Sequence, residues 1–512
     1  MQIALPVDPL ILLGAALLFG AVLTAAFAAR PGSRFRVPGA LLFLGIGMVV
    51  GDDGLGLIRL DDADLVRDLG VVALLFILFE GGLTTKPTDL RLAALPGLLL
   101  STVGVVVTAG ITAGGVWLLL DVDPLTAGLL GAVVASTDAA AVFSMMRTTP
   151  LPRRVSALLR IESGANDPIA VMLTVGLLAT YEGAASGPID WAIFAVVQLV
   201  GGGLVGAAIG VAGVWVLRHI HLGVDGLYPV LAAAVGGIAY GAAATIGASG
   251  FVAVYIAGLA IGSFVPRRRR SVLGFHEALA NAAEVGLFLL LGLLVFPSRL
   301  PEVTLAALAV TGLLILVARP AAVAVCTLGA RVPWREQTVI GWAGLRGAVP
   351  IVLATFPYTA GLPAGEAIFD VVFYVVLVSV LLQGTTLLPL VRRLGLEERR
   401  PAWAPVAEAL PIDGVDIDLV ELVVSDDLPL VDRQLREVGR PARTQVTAIV
   451  RDHEVLIPGG DTWLRAGDVL LLTTQGEEDA LARVTAWARG EGVTHGRDDP
   501  DGLADGYPGP DR

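Results

Sequence analysis

Residues 341–350 read Gly-Trp-Ala-Gly-Leu-Arg-Gly-Ala-Val-Pro, which places one arginine among three glycines and a proline inside an apolar stretch. Glycine and proline weaken a helix, and irregular backbone at membrane depth is tolerated only where it is buried in protein or lines a cavity. A charged side chain is costly in hydrocarbon, so Arg346 needs a carboxylate partner. The stretch therefore predicts an interrupted membrane helix built around a polar site.

A second interrupted helix is predicted at residues 135–139, which read Ala-Ser-Thr-Asp-Ala midway along another apolar stretch. Its small polar residues weaken a continuous helix and place Asp138 where lipid would otherwise be, so Asp138 is a functional candidate. The two interrupted segments are seven spans apart and cross in opposite directions. Interrupted segments at corresponding places of two inverted repeats point to the binding site of a secondary transporter.

The composition fits this interpretation. Of the 512 residues, 55% are hydrophobic and 16% are charged, and the mean hydropathy is +0.77. Apolar stretches long enough to cross a bilayer number about thirteen before residue 395, so we expect an α-helical polytopic membrane protein. A soluble enzyme, a cofactor and a nucleic-acid partner are not expected. The single cysteine, Cys326, excludes a disulfide within the chain and a cysteine metal cluster.

Loop charges predict the orientation, because cytoplasmic loops collect arginine and lysine. Loops that follow odd-numbered spans carry nineteen of these residues, whereas loops that follow even-numbered spans carry only Arg59, Arg67 and Arg299. The pattern predicts an external N-terminus and a cytoplasmic C-terminal domain. It also supports thirteen spans, since one miscounted span would invert the alternation downstream.

The sixth span contains Glu162-Ser163-Gly164-Ala165-Asn166-Asp167-Pro168. Glu162 and Asn166 are four residues apart and share one helical face, while Asp167 turns away from it. Pro168 removes a backbone donor and loosens the preceding turn, which suits the approach of water and an ion. We expect Glu162 to be the carboxylate that neutralises Arg346.

Three further charges lie within or near the ends of spans: Glu80, Glu284 and Arg319. Glu80 is close enough to the cytoplasmic end of the third span that its side chain could reach the interface instead of a site. For Arg319 and Glu284, the sequence leaves structural pairing and tuning of the site as equal alternatives.

Five motifs in order resemble the NhaP-like branch of the monovalent cation:proton antiporters over about residues 5–395. They are Phe79-Glu80-Gly81-Gly82-Leu83, Ser136-Thr137-Asp138, Glu162 to Pro168, Ser249-Gly250-Phe251 with Ala257-Gly258, and Gly344-Leu345-Arg346-Gly347-Ala348-Val349-Pro350. The resemblance implies a homodimer of thirteen-span protomers. It also implies that Asp138 and Asp167 hold the monovalent cation together with Ser163 and the Thr137 carbonyl.

The resemblance assigns supporting roles as well. Asn166 would fix the geometry of the site, Glu80 would reach it through water, and Glu162 and Arg346 would form a structural ion pair. The Asn-Asp pair at residues 166 and 167 resembles the pair of the branch that exchanges one cation for one proton. The resemblance therefore implies electroneutral exchange.

The soluble end of the chain, residues 411–490, alternates apolar and polar residues as half-buried strands do. It is similar to the TrkA-C module, the C-terminal part of RCK domains, which implies a small cytoplasmic α+β regulatory domain with room for a small ligand. The expected organisation is a transport domain over 1–395, a linker over 396–410, the regulatory domain over 411–490 and a disordered tail over 491–512. The module favours K⁺ as the transported cation, with Na⁺ or Li⁺ as the alternative.

Two other classes of function were weighed. An intramembrane serine protease could use Ser249 within Gly247-Ala248-Ser249-Gly250, but it needs a histidine base within the membrane, and all five histidines fall in loops, at a span's edge or in the soluble end. A cation channel would need rings of carbonyls or charges, and no filter-like sequence is present. Exchange of a monovalent cation for a proton across the cell membrane is the favoured function.

Overall fold

The computed structural model describes residues 22, 39–58, 62–85, 87–146, 151–183, 187–224, 226–265, 269–397, 406–410, 417–441, 443–452, 454–475 and 480–491. It divides into two compact units, residues 1–398 and residues 399–512, which are described separately. The predicted first span lies almost entirely outside the described residues, as does the predicted tail. The count of thirteen spans therefore stays a prediction.

The described part of the first unit is helical throughout its regular structure. Its helices are α1 (Gly39–Val50), α2 (Ala63–Thr84), α3 (Pro87–Leu99), α4 (Val105–Leu120), α5 (Pro124–Val133), α6 (Ala139–Met145), α7 (Arg153–Tyr181), α8 (Pro188–Val196), α9 (Gly202–His219), α10 (Leu227–Thr245), α11 (Gly250–Phe264), α12 (Arg269–Leu294), α13 (Leu300–Leu313), α14 (Arg319–Thr327), α15 (Trp334–Trp342), α16 (Ala348–Thr359) and α17 (Gly365–Arg393). Short π-helical turns join α3 to α4, α8 to α9 and α13 to α14.

Among the described residues, six continuous helical segments are long and apolar enough to cross a membrane, and four shorter helices are also apolar. Two of the shorter ones, α5 and α16, each belong to a predicted span that the structure divides. A helix shorter than the hydrocarbon thickness cannot cross alone. Each therefore needs a second segment, which is α6 for α5 and α15 for α16.

The helices pack as two groups. The scaffold bundle consists of α1, α2 and α9–α12, and the crossing bundle consists of α3–α7 and α13–α17. The bundles meet mainly where α16 lies against α2, with smaller contacts of α11 on α7 and of α12 on α16. The two divided spans and α7 all belong to the crossing bundle, so the predicted site residues other than Glu80 lie in one bundle.

Glycines bring α2 and α11 into backbone contact. A Cβ at Gly82 would lie 2.9 Å from the Leu259 nitrogen, and one at Gly262 would lie 2.8 Å from the Leu83 carbonyl carbon. Real side chains do not fit at such distances, so these glycines set the close approach of the helices. These contacts join the two helices closely within the scaffold bundle.

A side-chain cap fixes the start of α5. The Asp123 carboxylate accepts hydrogen bonds from the backbone of Leu125 at 2.9 Å and of Thr126 at 3.0 Å. Hydrogen bonding from Thr126, and then from Leu125, lowers the pKa of Asp123 below its usual range. The cap satisfies donors that the first turn of a helix leaves without partners.

The second unit carries one antiparallel sheet with the strand order β1-β2-β5-β3-β4. Its elements are β1 (Val406–Leu410), β2 (Ile417–Val423), α18 (Leu435–Val438), β3 (Thr444–Arg451), β4 (Glu454–Leu456), β5 (Val469–Gln475) and α19 (Ala480–Ala488). Trp487 of α19 is buried against this sheet, and its indole nitrogen donates to the Val438 carbonyl at 2.9 Å. The predicted α+β character of this domain is confirmed.

Candidate functional site

Both predicted interruptions are present, and they meet each other. The helix α5 ends at Val133 and α6 begins at Ala139, while α15 ends at Trp342 and α16 begins at Ala348. The Asp138 backbone nitrogen donates to the Leu345 carbonyl oxygen at 2.8 Å, so the two extended segments cross in direct contact. The crossing satisfies backbone groups that an isolated break would leave bare in the membrane.

The Asp138 carboxylate lies at the start of two helical segments. Its Oδ1 accepts from the Ala141 nitrogen at 3.3 Å, within the first turn of α6. It also lies against Gly347, which precedes α16, at a distance where any side chain on residue 347 would overlap it. The N-terminus of a helix carries a partial positive charge, so this placement favours an anionic Asp138. Gly347 of the twelfth predicted span is therefore needed for the close approach of the Asp138 carboxylate as well as for the break.

Asp167 lies on α7 beside this crossing. Its side chain is buried and faces the charge of Asp138 and the hydroxyl of Ser136. In the described part of the chain, its Oδ1 has no partner with hydrogen-bond geometry, and neither has the Ser136 Oγ. Buried polar atoms normally have partners, so these oxygens mark a place for a proton or a cation.

Asn166 and Ser163 fasten α7 to the first broken segment. The Asn166 amide donates to the Thr137 carbonyl at 3.0 Å and to the Thr137 hydroxyl at 2.7 Å. The Ser163 hydroxyl accepts from the Ala139 nitrogen at 3.0 Å. These contacts bring the predicted ligands Asp138, Asp167, Ser163 and Thr137 to one place. Their function as cation ligands stays a prediction.

The predicted partner of Glu162 is wrong. Arg319 at the start of α14, and not Arg346, contacts both carboxylate oxygens of Glu162: Nη1 reaches Oε1, and Nη2 lies 2.8 Å from Oε2. The exposed fractions of the two side chains are 1% for Glu162 and 3% for Arg319. A guanidinium matches a carboxylate in this two-bond arrangement, which neutralises both charges away from water.

Arg346 instead caps a half-helix. Its Nη1 donates to the Ala135 carbonyl at 3.1 Å and to the Ser136 carbonyl at 2.6 Å, just beyond the C-terminal end of α5. A cation is favoured there because the C-terminal end of a helix carries partial negative charge. Arg319 acts similarly on the other half-helix, since its Nη2 also donates to the Ile340 carbonyl of α15 at 3.3 Å.

Side chains of α17 form hydrogen bonds with the free backbone groups of the second break. The Gln383 amide donates to the Trp342 carbonyl at 2.8 Å, and the Ser379 hydroxyl donates to Gln383 and accepts from the Arg346 nitrogen at 3.2 Å. Ser379, Gln383 and Arg346 are buried and Trp342 is half-buried, and these bonds give the free carbonyl and amide of the break protein partners. Ser379 and Gln383 were not among the predicted site residues, although polar residues four apart in an apolar helix are a usable signal.

One carboxylate of the scaffold bundle, Glu284, approaches the crossing, and a second, Glu80, lies near Glu284. Glu284 on α12 is under the influence of the charges of Asp138 and of Glu80. Glu80 on α2 is also near Glu277, which is exposed near the start of α12. Glu284 is therefore near both Asp138 of the crossing and Glu80, to which the resemblance assigns a water route. The sequence left Glu284 undecided because nothing in its own span shows which residues face it.

Comparisons with known proteins agree with this architecture. Residues 18–393 match the family model "Sodium/hydrogen exchanger, transmembrane", and residues 419–487 match the TrkA-C domain. The chain is 37% identical over 468 residues to the K(+)/H(+) antiporter NhaP of Alkalimonas amylolytica, covering 89% of this chain and 80% of that protein. It is 28% identical to the Na(+)/H(+) antiporter NhaS2 of Synechocystis, covering 65% of this chain and 62% of that protein.

A solved structure has a similar fold. The sodium proton antiporter MjNhaP1 from Methanocaldococcus jannaschii aligns with a TM-score of 0.64 and 21% identity, covering 75% of this chain and 99% of that chain. At this identity, the similarity supports the helical membrane fold and nothing finer.

Proposed function

Because the chain belongs to the sodium/hydrogen exchanger family, we propose that it exchanges a monovalent cation, K⁺ in the first place, for protons at the crossing of its two broken helices. The observation that carries the proposal is the buried Asp167 Oδ1, which has no partner with hydrogen-bond geometry among the described residues and lies near the carboxylate of Asp138. Two neighbouring carboxylates away from water favour the uptake of one positive charge, either a proton or a cation. Competition for that place couples the two fluxes.

The surrounding charges suit an electroneutral cycle. Glu162 and Arg319 neutralise each other, and Arg346 is engaged with carbonyls of the first break. If one monovalent cation replaces one proton at Asp138 and Asp167, the charge of the site is the same in both loaded states. No net charge then crosses the membrane per cycle.

K⁺ is favoured over Na⁺ by two observations. The relative named a K(+)/H(+) antiporter is 37% identical over most of the chain, and the C-terminal unit matches a TrkA-C domain. Na⁺ or Li⁺ exchange is the alternative, supported by the similarity to a protein named a Na(+)/H(+) antiporter. The ligand atoms predicted here, carboxylate, hydroxyl and carbonyl oxygens, suit any of these hard cations.

The proposal includes the setting of the transporter. Residues 1–395 form the transport domain in the cell membrane as half of a homodimer, with an external N-terminus and residues 411–490 in the cytoplasm. The cytoplasmic domain binds a small ligand and adjusts the equilibrium between transport states, for which a ligand needs different affinities in the two states. Such exchange serves cation and pH homeostasis.

The test is cation/proton exchange by the purified protein in liposomes with an imposed pH gradient. K⁺, Na⁺ and Li⁺ are compared at several external pH values, with membrane potential clamped by an ionophore and then left free. We expect saturable, pH-dependent exchange whose rate does not depend on the membrane potential, with K⁺ as the preferred ion. Cation flux that follows the potential and needs no proton gradient would indicate a channel and refute the proposal.

A further inference from the structure

Tyr255 of α11 is held in place within the scaffold bundle. Its side chain is buried, and its hydroxyl lies 3.3 Å from the Thr85 hydroxyl oxygen. Thr85 donates its own proton to the Gly81 carbonyl at 2.7 Å, so Tyr255 is the donor in the pair. Thr85 directly follows α2, which the glycine contacts described above bring into backbone contact with α11. The orientation of the tyrosine ring is therefore fixed from one side.

The other side of the ring lies against Gly164 of α7. A Cβ on residue 164 would lie 2.8 Å from Tyr255 Cε2 and 2.9 Å from its hydroxyl oxygen, closer than real side chains approach. Gly164 lies inside a continuous helix, so the requirement for glycine is one of space and not of backbone conformation. The tyrosine edge occupies the room that a side chain would take.

This contact joins the two bundles at the turn that carries the exchange site. The hydroxyl of Ser163, the residue before Gly164, accepts a hydrogen bond from the Ala139 nitrogen of the first broken span. Asp167 follows Gly164 by three residues, within one helical turn. A displacement of this turn by a fraction of an ångström changes the distances from Ser163 and Asp167 to Asp138.

We infer that Tyr255 is a positioning residue of the exchange site: from the scaffold bundle, it supports the Gly164 turn of α7 and so sets the spacing between Ser163, Asp167 and Asp138. This inference rests on the proposed exchange function. Tyr255 is not a ligand of the cation, and its effect passes through Gly164.

The test uses full-length protein in liposomes and separates the cation concentration at half-maximal rate from the maximal rate. Gly164→Ala forces a methyl group against the tyrosine and raises the half-saturating concentration about tenfold. Tyr255→Val removes the crowded ring edge, so the double variant Gly164→Ala, Tyr255→Val recovers a substantial part of that loss. Tyr255→Phe, which keeps the ring but frees it from Thr85, raises the half-saturating concentration about fivefold with little change in maximal rate.

Gly237→Ala in α10 is the matched control, because a Cβ there would meet no atom within 4 Å. It should transport like the wild type. Wild-type half-saturation in Gly164→Ala, or a double variant no better than Gly164→Ala, would overturn the inference while leaving exchange intact. If Gly164→Ala does not fold, unchanged half-saturation in Tyr255→Phe overturns it equally. A wild type that exchanges no cation defeats the proposed function itself.

Discussion

Glu162 and Arg319 should be energetically coupled, because each is the main partner of the other in a buried part of the crossing bundle. Glu162→Gln leaves the Arg319 guanidinium without a counter-charge, and Arg319→Gln leaves the carboxylate without one. With exposed fractions of 1% and 3%, neither remaining charge reaches water. Each single substitution should lower the free energy of unfolding by about 3–5 kcal/mol. The double variant should recover about 1–3 kcal/mol of the summed loss.

The assay is reversible unfolding of the purified protein in mixed micelles, followed by helical circular dichroism during titration with a denaturing detergent. The matched control is the cycle of Glu162→Gln with Arg346→Gln. Arg346 donates to the Ala135 and Ser136 carbonyls, so this second cycle should show much weaker coupling. Stronger coupling of Glu162 to Arg346 than to Arg319 would refute the pairing and support the one expected from sequence.

Three further predictions concern regions away from the pair. Asp123→Ala should remove the cap of α5 and cost about 1 kcal/mol at pH 7. Because hydrogen bonds lower the pKa of Asp123, this cost should be full above about pH 4 and should vanish as the pH falls through the lowered pKa, which unfolding at pH 7 and at a pH below the lowered pKa would show. Arg451→Gln breaks a 2.6 Å ion pair with Asp468, which is 1% exposed, and should destabilise the second unit by about 2 kcal/mol, seen as faster hydrogen exchange in β3 and β5. Deleting residues 411–512 should leave an inserted, exchanging protein with an altered pH or ligand response; loss of all exchange in a folded truncation would show that the domain is part of the transport machinery.

The two interruptions could be predicted from sequence because their cause is local. Glycines, a proline and small polar residues weaken a membrane helix wherever they occur, and the structure breaks both spans at those residues. The shared face of Glu162 and Asn166 follows from helical periodicity, and both side chains contact Thr137 in the structure. Local pattern therefore predicted which segments carry the two breaks and which side chains of α7 contact the first of them.

The partner of Glu162 could not be predicted, because pairing depends on how distant helices pack. Two arginines, Arg319 and Arg346, were available in apolar stretches, and the sequence shows that each needs neutralisation but not by what. The Nη1 of Arg346 donates to carbonyls that become free only because α5 ends within the predicted span. A backbone acceptor created by another helix's interruption leaves no signal in the sequence around Arg346.

The residues that the scaffold bundle contributes near the crossing could not be predicted from the sequence either. Tyr255 and Glu284 come close to the crossing only because α11 and α12 pack against α7 and α16 of the other bundle. Their own neighbours in sequence are ordinary apolar residues. Long-range packing of this kind is what the structure adds to the motifs.

In the proposed exchange, a cation and a proton compete for Asp138 and Asp167. The most direct measurement is proton release into weakly buffered detergent solution when K⁺ is added to the purified protein, compared with Asp167→Asn at the same protein concentration. The wild type should release up to one proton per protomer, with a saturable dependence on K⁺ that weakens as the pH rises, and Asp167→Asn should release almost none although it remains folded. Saturable K⁺ binding without proton release, or equal release by both proteins, would show that the cation and the proton do not compete for these carboxylates.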